Sequence, residues 1–527
     1  MKNKIKAIRI IGVCLAILVV ILGIGHLMID RIAGSQFRKA LAGFPGQIDF
    51  QGLHVSLMAG DLELKDVEIT LQDSTNTVPN IQGSIKAIKL EGLSWSTLTH
   101  GEANAKRLII RNPHAQVVLP AKTEEKKDTA AAPAQDSFMK KVSVSEICIE
   151  KGAVGLSSLA NPMKVSAKGI HVSVNDIRAL LAENRVEYND SIYRFALDSL
   201  DIIDETGLSR IRIGHLSTAD AGPVEALALH LYSDVPQEAL AVKLGKVSAM
   251  WYDIKLDSLY TSPLNLPRLA GSEQIDVDQI HLSGPAAVLL QDDRFPPKVP
   301  YTTLQEGINS LTTPLHVHQL DARFKSFTFI WETTHVNRGT FEMKNLRTSL
   351  KSVSNAHGNM MDMDVKAGLP GKSRMDLALH IRNDKQESTH GRMQIFNLDA
   401  SRLDPFLRPL FGATVKADLH HIDCHFKGNK HKLNSNFCML YDNLELKAWK
   451  DTNAPFEIVS KHSKTVTFLA NLAIWKSNPA HAGKEPKKVE FDVERNPMQP
   501  YPTYIIQNLE TGMMLTVLPG SAVHKKK

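Results

Sequence analysis

The chain has 527 residues, 43% apolar and 22% charged, and its 62 basic and 56 acidic side chains leave a net charge of +6. Such a composition excludes a disordered chain. Charge this balanced, with only short basic runs at Lys487-Lys488 and Lys525-Lys526-Lys527, does not make a nucleic-acid binder.

The first element follows a basic tail, residues 1–9, that holds Lys2, Lys4, Lys6 and Arg9. From Ile10 to Ile29 no residue is charged, and Leu15, Leu18 and Leu22 lie inside the run. A helix of that length spans a hydrocarbon core of about 30 Å at about 1.5 Å per residue. A cleaved signal peptide has a shorter apolar stretch and a small-x-small cleavage site, and Met28-Ile29-Asp30-Arg31 offers none. The run is therefore predicted to be an uncleaved single-pass anchor. Its flanking basic residues place the N-terminus on the cytoplasmic side.

Two stretches after the anchor alternate as strands do. In "FQGLHVSL" the apolar positions are Leu53, Val55 and Leu57; in "AGDLELKDVEITL" they are Leu62, Leu64, Val67, Ile69 and Leu71. Together they predict a β-hairpin with one oily face, although Leu64, Val67 and Leu71 also fit a helical stripe. The single slip, at Lys65-Asp66, is the signature of a β-bulge, which keeps both halves of a strand on one face and bends it. The expected result is a curved sheet with a continuous apolar side.

Comparable runs follow. "SIKAIKLEGL" changes phase between Ala87 and Ile88, and "LIIRNPHAQVVL", "ICIEKGAVGL" and "IHLSGPAAVLL" each place a Gly or Pro break between two alternating runs. "LHVHQLDARFKSFTFI" (315–330) is a version without the break residue. No fixed period links them, so a serial meander of antiparallel strands is expected rather than a propeller. At about 13 residues per strand and turn, this amounts to roughly 30–35 strands. Helical patterns are few: 175–184, 304–311, 466–476, and Tyr501 to Leu518. The low-complexity run 121–137 cannot bury a core and reads as a mobile linker.

Chemistry-bearing motifs are weak. "GLPGKS" (368–373) is two residues short of a phosphate loop and precedes a strand pattern. "HHIDCHF" (420–426) holds possible zinc ligands. Yet Ile422, Cys424 and Phe426 alternate with His421, Asp423 and His425, as on a strand with one wet face. His316 and His318 flank Val317 in the same way, and Asp362 and Asp364 read as a solvated strand face. Cys424 and Cys438 either face each other across a hairpin or are small buried residues, as Cys148 is expected to be. No nucleophile, metal-helix or C-x-x-C motif is present, so no catalytic residue, metal or cofactor is expected.

The anchor, Gly60-Asp-Leu62-Glu-Leu64-Lys-Asp-Val67 after it, and "MQIFNLDASRLDPFLRPLFGATVKADL" (393–419) together resemble the AsmA family of Gram-negative envelope proteins. The last of these has Asn397, Leu398, Asp399, Pro405 and Gly412 at the family's positions; "NFCMLYDNLELKAW" and "FLANLAIWKSNP" resemble its closing block. The likeness covers both ends of the chain, and 152–390 carries no matching motif. It implies a bacterial inner-membrane protein with its bulk in the periplasm. The fold implied is mainly β: a transmembrane helix, then an elongated, curved antiparallel β-sheet groove with a few short helices. It further implies kinship with chorein-type lipid-bridge proteins. Phospholipid and the inner membrane would be the partners, with outer-membrane assembly or lipid-transfer proteins beyond them, and no nucleic acid.

On that basis Leu53, Val55, Leu57, Leu62, Leu64, Val67, Ile69 and Leu71 are the candidate groove lining, and Ile10, Leu15, Leu18, Leu22 and Ile29 the membrane anchor. The expected layout is tail 1–9, anchor 10–29, N-terminal β module 34–120, linker 121–137, middle body 138–392, C-terminal β region with terminal helix 393–520, and basic tail 521–527. The expected function is non-enzymatic phospholipid handling that contributes to outer-membrane biogenesis. The alternative is an envelope scaffold whose sheet closes as a sandwich without lipid; an envelope hydrolase with dispersed residues is a third reading.

Overall fold

A computed structural model describes residues 47–56, 59–71, 79–98, 100, 102–120, 141–180, 185–187, 193–219, 222–264, 274–333, 337–448, 474–481 and 483–518. The anchor residues Ile10, Leu15, Leu18, Leu22 and Ile29, together with Leu57, the linker 121–137 and most of the helix expected at 466–476, lie outside them. Among the described residues no helix is long and apolar enough to cross a membrane. The protein is mainly β, with a few short helices. It divides into two compact units, Met1–Ala228 with Pro263–Ala270, and Leu229–Ser262 with Gly271–Lys527.

In the first unit, β1 (Gln47–Ser56) and β2 (Asp61–Leu71) form the expected hairpin, with Val55 opposite Leu62 and Leu53 opposite Leu64. Strands β3 (Asn80–Glu91) and β4 (Glu102–Leu119) continue it antiparallel, with the short helix α1 (Trp95–Leu98) between them. Strand β5 (Lys141–Ser158) then pairs parallel to β4. Strand β6 (Lys164–Leu180) is antiparallel to β5 and carries β7 (Arg185–Glu187) at one end. Both β8 (Tyr193–Leu197) and β9 (Ser199–Ile203) lie along β6 and are followed outward by β10 (Ser209–Ala219).

The second unit takes up the chain within β11 (Pro223–Ser233) and continues with helix α2 (Gln237–Lys243) and β12 (Ala249–Pro263). Strand β13 (Ile275–Asp292) is antiparallel to β12, and β14 (Leu315–Glu332) is parallel to β13. From there β15 (Arg338–Ser354), β16 (Met360–Gly368), β17 (Arg374–Arg382), β18 (Thr389–Asp399), β19 (Ala413–Gly428), β20 (Lys432–Ala448) and β21 (Lys488–Glu494) are antiparallel in turn. Helices α3 (Leu304–Asn309), α4 (Asp404–Phe411) and α5 (Tyr501–Val517) complete it.

Several expectations need correction. The meander is not uniformly antiparallel, because β4–β5 and β13–β14 are parallel. Strands of up to 18 residues replace the shorter ones expected, so 21 strands are found among the described residues. The Gly and Pro breaks do not separate two strands but lie inside one, as Pro113 does in β4 and Pro285 in β13. Finally, Asn175 to Leu180 of the helix expected at 175–184 end strand β6. There Asp176 takes a left-handed φ of 53°. The resulting slip sets Val174 and Ile177 three apart, which imitates a helical stripe.

The slip at Lys65-Asp66 is real, and Asp66 has φ 48°. It is not an extra residue facing a regular neighbour, because the pairing keeps one register through Lys65↔Ala87 and Val67↔Ile85. Every neighbouring strand slips at the same level. Gln51, Asp66, Lys86, Asn112 and Lys151 fall on one line across β1 to β5, and Asn112 and Lys151 also have positive φ. Two such lines cross the second unit: Pro285, Lys325 and Asn345, and Asp278, His318 and Ser352. Asn345 and Ser352 are left-handed there. Asp and Asn tolerate that conformation better than other side chains, so polar residues mark each crease.

Candidate functional site

Direct partners across a sheet share a face, so one row of apolar side chains can be followed through the second unit. It runs Leu259, Leu282, Ala322, Thr348, Val365, Leu377, Met393, Cys424, Phe437 and Val489. From Leu259 to Leu377 the members are half-buried; from Met393 to Val489 they are buried. Helix α5 accounts for the change. Its buried side is the stripe Tyr504, Asn508, Gly512 and Thr516. A Cβ at Gly512 would collide with the Phe437 ring, so glycine lets the helix lie directly on the sheet. Asn508 accepts a 2.6 Å hydrogen bond from Ser435 Oγ and donates to Cys424 Sγ at 3.4 Å.

Two other helices hold the ends of the strands. In α4, Leu410 packs where a Cβ on Gly339 would stand, and Phe406 meets Phe341 edge-on at 5.9 Å. Asp399 accepts from the Ser401 amide ahead of it, Pro405 sits in its first turn, and Gly412 ends it at φ 65°. Helix α3, expected at 304–311, starts in a capping box between Thr303 and Glu306. Gln305 donates to the Ser354 carbonyl at 3.0 Å and Asn309 to Asn383 at 2.9 Å. The middle of the apolar face, over β12 to β17, is left half-covered. On β14 it presents Leu320, Ala322, Phe324, Phe327 and Phe329, held on one side by the crease at Lys325.

The reverse face of this unit is polar. Arg392 grips Asp423 with two 2.9 Å hydrogen bonds. Burial works to raise the Asp423 carboxyl, but Arg392 overcomes it and holds the group below the usual carboxylate range. His380 bonds Asp362 at 2.6 Å, and His420 bonds Asp442 at 3.0 Å. The "HHIDCHF" run splits as expected: Ile422, Cys424 and Phe426 are buried, while His421, Asp423 and His425 belong to the wet face. Cys424 and Cys438 therefore point to opposite sides and stay free, which removes the hairpin-bridge alternative. Burial pushes the Cys424 thiol up to about 12.

In the first unit the predicted lining shares the same side of the sheet but not the same exposure. Leu62, Leu64 and Val67 are 1%, 3% and 4% exposed in a core with Phe50, Leu90 and Leu108. Leu53, Val55 and Ile69 are partly buried against it, and Leu71 is half-buried. Gly60, at φ 69°, accepts a 2.8 Å bond from the Leu93 amide, and a Cβ there would strike Leu93 backbone. A second, half-buried row runs Leu71, Ile81, Val117, Leu156, Val165, Ile202 and Ile211. The reverse face is again charged, with Arg107 on Glu146 at 2.8 Å and Arg111 on Glu150 at 3.3 Å. Cys148 lies on that face and donates to Glu146 at 3.1 Å; burial and then this bond push its thiol up, as suits an inert residue.

Reasoning from sequence missed the half-covered rows of the second unit. Their signal was present in "LHVHQLDARFKSFTFI", whose aromatic stripe stays on one face only when the slips are allowed for. No protein-family model and no curated protein matches the chain.

Proposed function

We propose that this chain is a non-enzymatic envelope protein, anchored in the inner membrane and lying in the periplasm, that handles or transports phospholipid along the apolar face of its sheet. In this reading, which rests also on the AsmA resemblance, it contributes to outer-membrane biogenesis. The observation that carries the proposal is the row from Leu259 to Val489, buried under α5 and half-exposed where no helix lies. An apolar face of that extent needs a cover. Protein supplies it at β18 to β21, and acyl chains would supply it over β12 to β17. The creases favour the same reading. At several of their positions, as at Lys65-Asp66 and His318-Gln319, two consecutive polar residues share the outer face, and a kink of this kind bends a sheet.

The test is site-specific photo-crosslinking of the full chain in native membranes, with adducts identified by mass spectrometry. Probes at Leu282 and Leu377 are expected to capture phospholipid, and probes at Asp364 and at Phe437 to capture none. Protein adducts at Leu282 and Leu377, without lipid, would instead establish the scaffold with a covered face. Equal lipid capture at Asp364 would show mere proximity to a bilayer.

A further inference from the structure

The polar face of the second unit holds a second arrangement, independent of lipid. Strands β13 and β14 are parallel and in register, so Asp276-Val277-Asp278 lies beside His316-Val317-His318, with Asp276 opposite His316 and Val277 opposite Val317. Val277 and Val317 are buried on the far side, which turns both acids and both imidazoles outward and fixes their backbones. On a regular strand, residues two apart are separated by about 6.6 Å. Here the His316 and His318 ring centroids are only 4.0 Å apart. The crease through Asp278, His318 and Ser352 lies at this point, and a kink of this kind re-aims the side chain that stands on it.

We propose that Asp276, His316 and His318 form a binding site for a divalent transition-metal ion of the zinc class, with Asp278 in reach as a fourth ligand. Nδ1 of His316 is 3.5 Å and Nε2 of His318 is 3.4 Å from the same Asp276 Oδ1. Zinc bonds of about 2.0–2.1 Å in a tetrahedron put neighbouring donors about 3.3–3.4 Å apart. The two His–Asp276 edges lie close to that spacing. Nε2 of His318 lies 4.0 Å from Asp278 Oδ1. A carboxylate at that distance reaches the fourth corner by rotation about its side-chain bonds. Two imidazoles and two carboxylates are a donor set that borderline ions take and calcium does not favour. Asp276 and His318 are exposed and His316 is half-buried, so an ion can reach the site from solvent.

The other histidine-rich places do not converge in this way. Asp423 is taken by Arg392, His420 pairs with Asp442, and His421 stacks on Phe396 at 4.7 Å. Among the described residues, the Asp276 cluster is the one group of three potential ligands whose donor atoms lie within 4.8 Å of one another.

The experiment is a cobalt(II) titration of the full chain, purified in detergent and stripped with chelator, then challenged with zinc. One equivalent of cobalt is expected to give the visible d–d bands of a tetrahedral ion, and zinc to bleach them. His316→Ala with His318→Ala should lose that equivalent, whereas His421→Ala with His425→Ala should keep it. His318→Cys guards against misfolding, since it restores a ligand and should add a sulfur-to-cobalt charge-transfer band. Absence of tetrahedral bands in the natural chain would overturn the proposal. So would bands that survive in the His316→Ala, His318→Ala chain.

Discussion

Leu62 and Leu282 are both leucines on the apolar side of a sheet, yet the first is almost wholly enclosed and the second half-buried. Leu62→Ala should therefore cost about 2–5 kcal/mol through lost burial and a residual cavity. Leu282→Ala should cost less than half as much, both read from urea unfolding of the purified chain. Charge can be separated from packing at Asp423. Its folded-state pKa is depressed, so its contribution is present above the unfolded value of about 3.9 and lost as pH falls through the folded one. Arg392→Met should thus lower stability by about 1 kcal/mol at neutral pH, and the difference from the natural chain should close below about pH 4. Another residue reports on α5. Cys424, buried and with its thiol pushed up to about 12, should resist iodoacetamide in the native protein and react fully on unfolding. Ready alkylation in the folded state would mean that α5 does not lie over it.

Among the elements, α5 is unusual in turning Tyr504, Asn508, Gly512 and Thr516 to the sheet while Met514 is 62% exposed. Small and polar groups, not leucines, make the contact, so the helix is held by fit and by Asn508. Gly512→Leu should lift it off Phe437 and raise amide exchange in β19 and β20, leaving β13 to β15 unchanged. The C-terminal helix was legible because Tyr501, Ile505 and Leu509 step by four and Pro519 follows, but its buried stripe was not. Its apolar residues suggested a different face, and only Phe437 opposite shows why Gly512 matters. Likewise the β1–β2 hairpin could be read from strict alternation, whereas the strand at Asn175 could not, since the Asp176 slip counterfeits helical spacing. The creases were half-readable. One chain displays its own change of phase, but their alignment across five strands depends on register, which no single stretch contains. The parallel pairs were hidden for the same reason. The half-covered rows of the second unit escaped because the N-terminal hairpin, with the cleaner pattern, drew the lining assignment; of those residues Leu62, Leu64 and Val67 are core, while Leu53, Val55, Ile69 and Leu71 are partly buried.

For the whole chain, each unit by itself repeats one plan of apolar face, charged reverse and polar creases. One consequence follows from the parallel β4–β5 pair. Leu119 ends beside Ser158 while Lys141 starts beside Glu102, so the two strand ends stand the whole length of β4 apart. Eighteen residues of strand measure about 56 Å end to end, and residues 120–140 can reach about 75 Å when taut. The number of residues between Leu119 and Lys141 thus exceeds what that separation demands by only about five. Swapping residues 121–137 for glycine and serine of equal number should leave the fold intact. Removing ten of them should tear β5 from β4, seen as a lost cooperative unfolding step: the yardstick is number, and the letters are free.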